Sequence, residues 1–147
     1  MLYRLALPDD HNAIAAFVVK GMREGKYPGI VSRPKIDALI RTIVSSPEHF
    51  HLLAFTDSGE LVGVVAALVV ESLLFERCEA HVVACRATEP GAGHALMTAL
   101  RDWRRADMRI GRTIWMMEID GNPLIERFAR WYGFKHDTTT MIAFRGH

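Results

Sequence analysis

A proline and two glycines separate a predicted strand from a predicted helix in the second half of the chain. The segment is Thr-Glu-Pro-Gly-Ala-Gly, residues 88–93. The first backbone amides of a helix have no partner within the helix, and the helix dipole favours negative charge at that end. This order of residues therefore predicts a turn that holds an anion, such as a phosphate group. Alternatively, Pro90 and the glycines only begin the helix.

Two common phosphate-binding motifs do not match this turn. A Walker A loop requires G-x-x-x-x-G-K-[ST], and the sequence contains no such string. A Rossmann fingerprint requires G-x-G-x-x-G; Gly91 and Gly93 supply its first two glycines, but Leu96 occupies the place of the third. What remains is a short turn whose backbone amides face an anion.

The elements before the turn follow from apolar periodicity and from chain breakers. Residues 2–7 predict a short strand, and two helices follow, separated by the Pro-Gly pair at 28–29. Residues 51–72 predict a hairpin around Gly59, because glycine adopts the positive φ of a tight turn at little cost. Residues 78–85 predict the strand that leads into the turn.

The elements after the turn complete an alternating pattern. A long amphipathic helix places Leu96, Leu100 and Trp103 inward, with Arg101, Arg104, Arg105 and Arg109 on its solvated face. Residues 113–120 predict a strand, Asn122 caps a last helix that ends at Gly133, and residues 138–144 predict a final strand. The order predicts one mixed α/β domain over residues 1–147.

Composition excludes several classes of function. The chain has 147 residues, of which 50% are hydrophobic, and a formal charge of +1. Balanced charge gives no broad attraction to nucleic acid or to a membrane surface. The longest apolar run, residues 61–70, is too short to cross a bilayer, which needs about 20 residues, and no signal peptide is visible. These features predict a cytoplasmic protein without a nucleic-acid or membrane partner.

Two pairs of side chains with metal or redox chemistry are predicted to be structural. Cys78 and Cys85 are seven residues apart on one strand, so alternation places them on opposite faces as reduced core cysteines. His49 and His51 lie two apart with no third ligand nearby in the sequence. No metal site is predicted.

The order of elements and three local matches resemble the GNAT superfamily of N-acyltransferases over nearly the whole chain. The family's turn, [Q/R]-x-x-G-x-[G/A], falls on residues 88–93, and His-Ala-Leu-Met at 94–97 is a common start of the helix that follows. Asn122 and the later Gly133-Phe134 match the family's N…GF segment. The resemblance implies a central, mostly antiparallel mixed sheet of about six to seven strands, flanked by about four helices.

The resemblance also implies acetyl-CoA as a co-substrate and assigns residues to it. The turn and helix start would hold the pyrophosphate, the main-chain amide of Val83 would stabilise the oxyanion, and that of Cys85 would hold the pantetheine arm. The pyrophosphate residues are Thr88, Gly91, Ala92, Gly93, His94 and Ala95, with Asn122 supporting the cofactor.

Acetyl transfer to an amine also needs a base, because an ammonium group with a pKa of about 10.4 is mostly protonated near neutrality. Glu79, four residues before Val83 on the predicted strand, is the first candidate. His81 lies on the same face of that strand and could join Glu79 in a relay or replace it.

Two positions depart from the family pattern. Thr88 stands where Gln or Arg is usual, which should weaken pyrophosphate binding without abolishing it. Ala129 stands where the family commonly has a tyrosine that protonates the departing thiolate. General acid catalysis is typically worth ~10²–10⁴ in rate, so its loss slows a reaction without silencing it. Tyr132 could substitute; the alternative is a buried core tyrosine.

The sequence thus leads to two hypotheses. The first is an N-acetyltransferase that moves an acetyl group from acetyl-CoA to a primary amine of a small molecule or peptide, by direct attack in a ternary complex. The second is a non-catalytic GNAT-fold module that binds CoA or a protein partner, which Thr88 and Ala129 favour. Trp115, Trp131 and the last strand are compatible with a homodimer, although core packing explains them equally well.

Overall fold

Five β-strands and four α-helices lie within residues 1–25, 30–115 and 123–135, the parts of the chain that the computed structural model describes. The strands are β1 (Leu2–Arg4), β2 (Phe50–Phe55), β3 (Leu61–Glu71), β4 (Cys78–Ala87) and β5 (Ile110–Trp115). The helices are α1 (His11–Glu24), α2 (Arg33–Ser45), α3 (Ala92–Ala106) and α4 (Pro123–Trp131), and a short 3-10 helix, Pro8–Asp10, precedes α1. No helix in these ranges is both long and apolar enough to cross a bilayer.

The strands form one mixed sheet in the order β1-β2-β3-β4-β5. The first four strands are antiparallel neighbours, whereas β4 and β5 are parallel. A parallel pair needs a crossover connection, and α3 supplies it. The predicted α/β class, mostly antiparallel sheet and four helices are confirmed. The predicted six to seven strands are not matched, since the described residues form five; the expected last strand, 138–144, lies outside them.

Helices cover both faces of the sheet. On one face, Leu96, Met97 and Leu100 of α3 pack against β3 and β4. On the other face, Ile14 of α1 and Ile40 of α2 pack against β2 and β3. The inward stripe predicted for α3 is confirmed, because Leu96 is 0% and Leu100 is 1% exposed. The third predicted member, Trp103, stacks on Phe50 with ring centroids 5.0 Å apart.

A bulge in the middle of β4 changes which way its side chains point. Ala84 pairs with Ala66 of β3, and Val82 pairs with the next residue of β3, so Val83 is an extra residue without a partner position. Val82 and Cys85 consequently both pack in the α3 core, although they are three residues apart.

The bulge also corrects the prediction for the two cysteines. Since Cys78 lies four residues before Val82, it faces the same side of the sheet as Val82 and, beyond the bulge, as Cys85. The predicted opposite faces are therefore wrong. Both thiols are free, and seven residues of strand separate them by roughly 20 Å, which is too far for a disulfide.

Arg104 is not on the solvated face predicted for it. Its guanidinium donates to the carbonyl of Tyr132 at 2.8 Å and lies 5.5 Å from the centre of the Phe134 ring. Burial, and then the nearby Arg105 and Arg101, lower its pKa. Arg104 thereby joins α3 to the end of α4, where Gly133 has a φ of 86° and terminates the helix as predicted.

Candidate functional site

The turn between β4 and α3 is a tight connection held by backbone hydrogen bonds. The amide and the hydroxyl of Thr88 both donate to the carbonyl of Val62, at 2.9 and 3.3 Å. Gly91 has a φ of 84°, a conformation that favours glycine. The amide of Ala92 donates to Glu89 at 3.3 Å, and the amide of Ala95 donates to Gly91 at 3.1 Å.

Two amides at this helix start are left without an acceptor. Those of Gly93 and His94 donate no hydrogen bond to any of the described residues, as expected for the first turn of a helix. A Cβ at Gly93 would meet the Phe128 ring at 3.5 Å and Ala87 at 3.7 Å, which are ordinary contacts. Packing within the protein therefore does not require a glycine at position 93. Separately, the two free amides of the turn are available to bind an anion.

Glu79 and His81 come together on the α1 and α2 side of β4. The carboxylate of Glu79 accepts a hydrogen bond from Arg112 of β5 at 2.8 Å and lies 3.3 Å from Nε2 of His81. The His81 bond, followed by the charge of Arg112, outweighs burial and lowers the pKa of Glu79. The Glu79 side chain is 12% exposed and that of His81 is 41% exposed, so the histidine is the more accessible of the two.

Distance along the strand also separates these two candidates. At about 3.3 Å per residue, His81 lies roughly 7 Å from the bulged Val83, and Glu79 lies roughly 13 Å from it. Val83 is 39% exposed. A group that takes a proton next to the Val83 amide is therefore nearer to His81, whereas Glu79 would need an intervening water.

The thiol of Cys85 lies in an environment that disfavours its thiolate. The thiol lies 3.5 Å from the sulfur of Met97, and burial raises its pKa to about 12. The nucleophilic form of cysteine is the thiolate, which this environment suppresses. The predicted contact of the Cys85 main-chain amide with a pantetheine arm stays a prediction.

Tyr132 is buried at the junction of α4 with α3. It is 8% exposed, and its hydroxyl donates to the carbonyl of His94 at 3.1 Å and lies 2.8 Å from Nδ1 of the same histidine. Ala129, the position of the family's tyrosine, is 1% exposed. The hydroxyl of Tyr132 is thus committed to the first turn of α3, and its predicted role as a proton donor stays a prediction.

Arg86, which connects β4 to α1, was not predicted from the sequence. Its guanidinium donates to the carbonyl of Phe17 at 2.6 Å and to Glu24 at 2.7 Å, and it lies 4.5 Å from the centre of the Phe17 ring. A Cβ at Gly21 would stand 2.5 Å from Cδ of Arg86. The available signal was Gly21 itself, since glycine within a helix costs about 1 kcal/mol relative to alanine and indicates close packing. The pairing of Arg112 with Glu79 was also not predicted from the sequence.

The two histidines considered for a metal have backbone partners instead. Nδ1 of His49 accepts the amide of Val69, and Nδ1 of His51 accepts the amide of Ala6, both at 3.0 Å. Burial lowers the pKa of His51. Within the described ranges, no three His, Cys, Asp or Glu side chains are grouped so that they could hold a metal ion.

Some predicted site residues lie outside the described residues. These are Asn122 and parts of two segments, residues 24–31 and 135–140, that the family resemblance predicts to line the acceptor site. The parts outside are residues 26–29 and 136–140. Of the two tryptophans considered for a dimer, Trp115 packs edge-on against Phe134 with ring centroids 5.4 Å apart. Trp131 is 71% exposed.

Comparison with solved structures identifies the fold. An acetyltransferase of the GNAT family from Streptococcus pneumoniae is similar to 88% of this chain over 82% of its own, with a TM-score of 0.68 and 16% identity. Glucosamine-6-phosphate N-acetyltransferase from Arabidopsis thaliana matches with a TM-score of 0.66 and 13% identity over 99% of both chains. A predicted acetyltransferase from Clostridium acetobutylicum, whose structure was determined with acetyl-CoA, matches with a TM-score of 0.70 and 14% identity over 97% of this chain and 95% of that one.

Each similarity covers most or all of both chains. Because the sequence identities are only 13%, 14% and 16%, these similarities establish the fold and not the function. The chain has a GNAT-like fold, as its turn and its order of elements indicated. No protein-family model matches the sequence, and no curated protein matches it either.

Proposed function

We propose that this protein is an N-acetyltransferase that moves the acetyl group of acetyl-CoA to a primary amine of a small molecule or peptide. The observation that carries the proposal is the pair of partnerless amides at Gly93 and His94, placed directly after a bulged central strand in a GNAT-like fold. Backbone donors at a helix start bind phosphate groups, and the pyrophosphate of CoA is such a ligand.

In this proposal the cofactor lies along the end of β4. The pyrophosphate contacts the amides of the α3 start, the pantetheine arm contacts the amide of Cys85, and Asn122 supports the cofactor. The hydroxyl of Thr88 is bonded to Val62, so Thr88 contributes through its position in the turn. The thioester oxygen is bound by the amide of the bulged Val83; a single donor of this kind is worth ~10²–10³ in rate.

The reaction needs one proton acceptor, and we assign that role to His81. The amine nitrogen attacks the thioester carbon and its proton passes to Nδ1 of His81, because Nε2 donates to the Glu79 carboxylate. The carbon–sulfur bond then breaks and CoA leaves as a thiolate. Because the thiol has a pKa of about 8.5, its thiolate is a tolerable leaving group without a general acid. The released thiolate then takes a proton from water. Glu79, with its pKa lowered by His81 and Arg112, is the poorer base; it orients the imidazole.

The test is acetyl-CoA binding by calorimetry, followed by thiol release with a panel of primary amines. We expect His81→Gln to reduce kcat/KM by ~10²–10⁴ with unchanged Kd for acetyl-CoA, and Glu79→Gln to reduce it less. Glu76→Gln, an exposed change in the loop before β4, is the matched control. A larger loss in Glu79→Gln than in His81→Gln would return the base role to Glu79.

The second candidate function is a non-catalytic module that binds CoA. The buried Ala129 and the engaged hydroxyl of Tyr132 favour it, because neither offers a proton donor to a leaving thiolate. Tight acetyl-CoA binding with no thiol release across the amine panel would select this function. Absence of binding would reject both candidates.

A further inference from the structure

A side chain of β2 holds the segment that joins β1 to α1. The backbone amide of Ala6 donates a hydrogen bond to Nδ1 of His51, and the two nitrogens are 3.0 Å apart. A backbone amide can only donate, so Nδ1 must be the acceptor and carries no proton. The bond therefore requires a neutral ring with its proton on Nε2, and it is lost when Nδ1 is protonated.

This bond stands at the point where the pairing of β1 with β2 ends. The last pair of the register is Arg4 opposite Leu53, and a continuation would place Ala6 opposite His51. The chain turns toward α1 instead, and the Ala6 amide donates to no backbone carbonyl of the described residues. The imidazole is thus the acceptor that holds residues 5–7 against the sheet.

The surroundings of this bond are apolar. Ala6 is 8% exposed and belongs to the same buried cluster as Ile14 of α1 and Leu53 of β2. His51 lies on the same face of β2 as Leu53, since the two are separated by one residue. Burial lowers the pKa of His51, so the environment that contains the bond also disfavours a charged ring.

The elements around His51 carry charged or titratable groups, several of which have partners of their own. Arg4 is bonded to Asp10 at 2.6 Å, and Nε2 of His11 lies 2.6 Å from Asp37. These groups include Arg4 on β1, Asp9 and Asp10 on the 3-10 helix, His11 on α1, Asp37 and Arg41 on α2, His49 on β2, and Glu79, His81 and Arg86 on β4. Since burial, and no neighbouring charge, lowers the pKa of His51, access of the ring to water decides its protonation.

We propose that His51 and Ala6 form an acid-sensitive latch: a proton taken up at Nδ1 removes the acceptor of the Ala6 amide, and residues 1–7 then open from the sheet while β2, β3 and β4 stay paired. The exposed side of this segment favours local opening. Leu2 and Leu5 are 57% and 60% exposed, so little further apolar surface is uncovered. The latch does not depend on the proposed function.

The latch weakens on the acid side of neutrality. In the open form His51 has the ordinary histidine pKa of about 6.5, whereas in the closed form its pKa is lower. Opening therefore takes up a proton at pH values between the two. The latch is fully stable above about pH 6.5 and is lost progressively as the pH falls from there toward the folded pKa.

The test is amide hydrogen exchange by NMR, with rates converted to protection factors so that the intrinsic effect of pH is removed. Between pH 7 and pH 5, we expect the protection of the Ala6 amide to fall roughly five- to tenfold. Val65, a fully buried residue of β3, should keep its protection. His51→Asn should hold the Ala6 protection constant over the same range, because its side-chain oxygen accepts near the position of Nδ1 and does not titrate.

Two matched variants test whether another histidine is responsible. His49→Asn, which changes the acceptor of the Val69 amide, and His11→Asn should both retain the wild-type loss at Ala6. Imidazole ¹⁵N NMR of the wild type should show an unprotonated Nδ1 at pH 7, a readout that requires no variant. Constant Ala6 protection in the wild type, the same loss in His51→Asn, or a protonated Nδ1 at pH 7 would each overturn the inference.

Discussion

The two sides of β4 have opposite chemical characters. Toward α3, the strand presents Val82 and Cys85 to an apolar core. Toward α1 and α2, it presents Glu79, His81 and Arg86, each bonded to a charged or polar partner. One strand can serve both sides because the bulge at Val83 shifts the alternation, which keeps Cys85 in the core and sends Arg86 to the charged side.

The same contrast appears in the pKa values of two residues on this strand. Burial without a partner raises the pKa of the Cys85 thiol to about 12. On the other side, the bond from His81 and the charge of Arg112 lower the pKa of Glu79 despite its partial burial. Desolvation decides the first case and charge pairing the second. The side of β4 toward α3 therefore contributes Val82 and Cys85 to an apolar core, whereas the proposed chemistry lies on the side toward α1 and α2.

The largest expected effect lies on the apolar side. Leu96→Ala removes a fully buried side chain whose Cδ1 would stand 2.8 Å from a Cβ at Gly63. We expect the free energy of unfolding, measured in urea, to fall by about 2–5 kcal/mol. Leu73→Ala, at a residue 99% exposed, should change it by less than about 0.5 kcal/mol. Equal losses in the two variants would contradict the assigned core.

A smaller effect is expected on the charged side. Arg86→Met keeps an apolar stem against Phe17 but removes the hydrogen bonds to the Phe17 carbonyl and to Glu24. Hydrogen bonds to charged groups are worth about 1.5–3 kcal/mol, so urea unfolding should show a loss in that range. Arg105→Met, on the exposed face of α3, is the control. A loss above about 3 kcal/mol would mean that Arg86 supports the packing of α1 by more than these hydrogen bonds.

The smallest effect concerns Glu79 and depends on pH. Since its pKa is lower in the folded state than the ordinary value of about 4.3, its pairing stabilises the protein above that value. The contribution disappears as the pH falls through the folded pKa. Glu79→Gln should reduce the free energy of unfolding at pH 7 by less than about 1 kcal/mol, because Arg112 is 48% exposed and screened by water.

The Glu79 measurement is a comparison of denaturant midpoints at neutral and acid pH. The difference between wild type and Glu79→Gln should shrink below about pH 4. A difference that grows with acidity would mean that the carboxyl is held protonated, in contradiction to the pairing described here.

The sequence by itself determined the local elements and the turn. Periodic leucines predicted the buried stripe of α3, and glycines predicted the positive φ angles at Gly59 and Gly133. The strand–turn–helix start at residues 88–93 also followed, because each of these features depends on residues within a few positions of one another. Such patterns are set by backbone sterics and by the helical and strand periods.

Only the tertiary structure decided the partners of the functional side chains. Arg86 bonds a carbonyl 69 residues away, and His94 bonds a tyrosine 38 residues away. The bulge at Val83 reversed the predicted relation of the two cysteines, and packing turned Arg104 from solvent to α4. These outcomes depend on strand register and on how helices dock, which arise from many weak contacts between distant segments and leave no local pattern in the sequence.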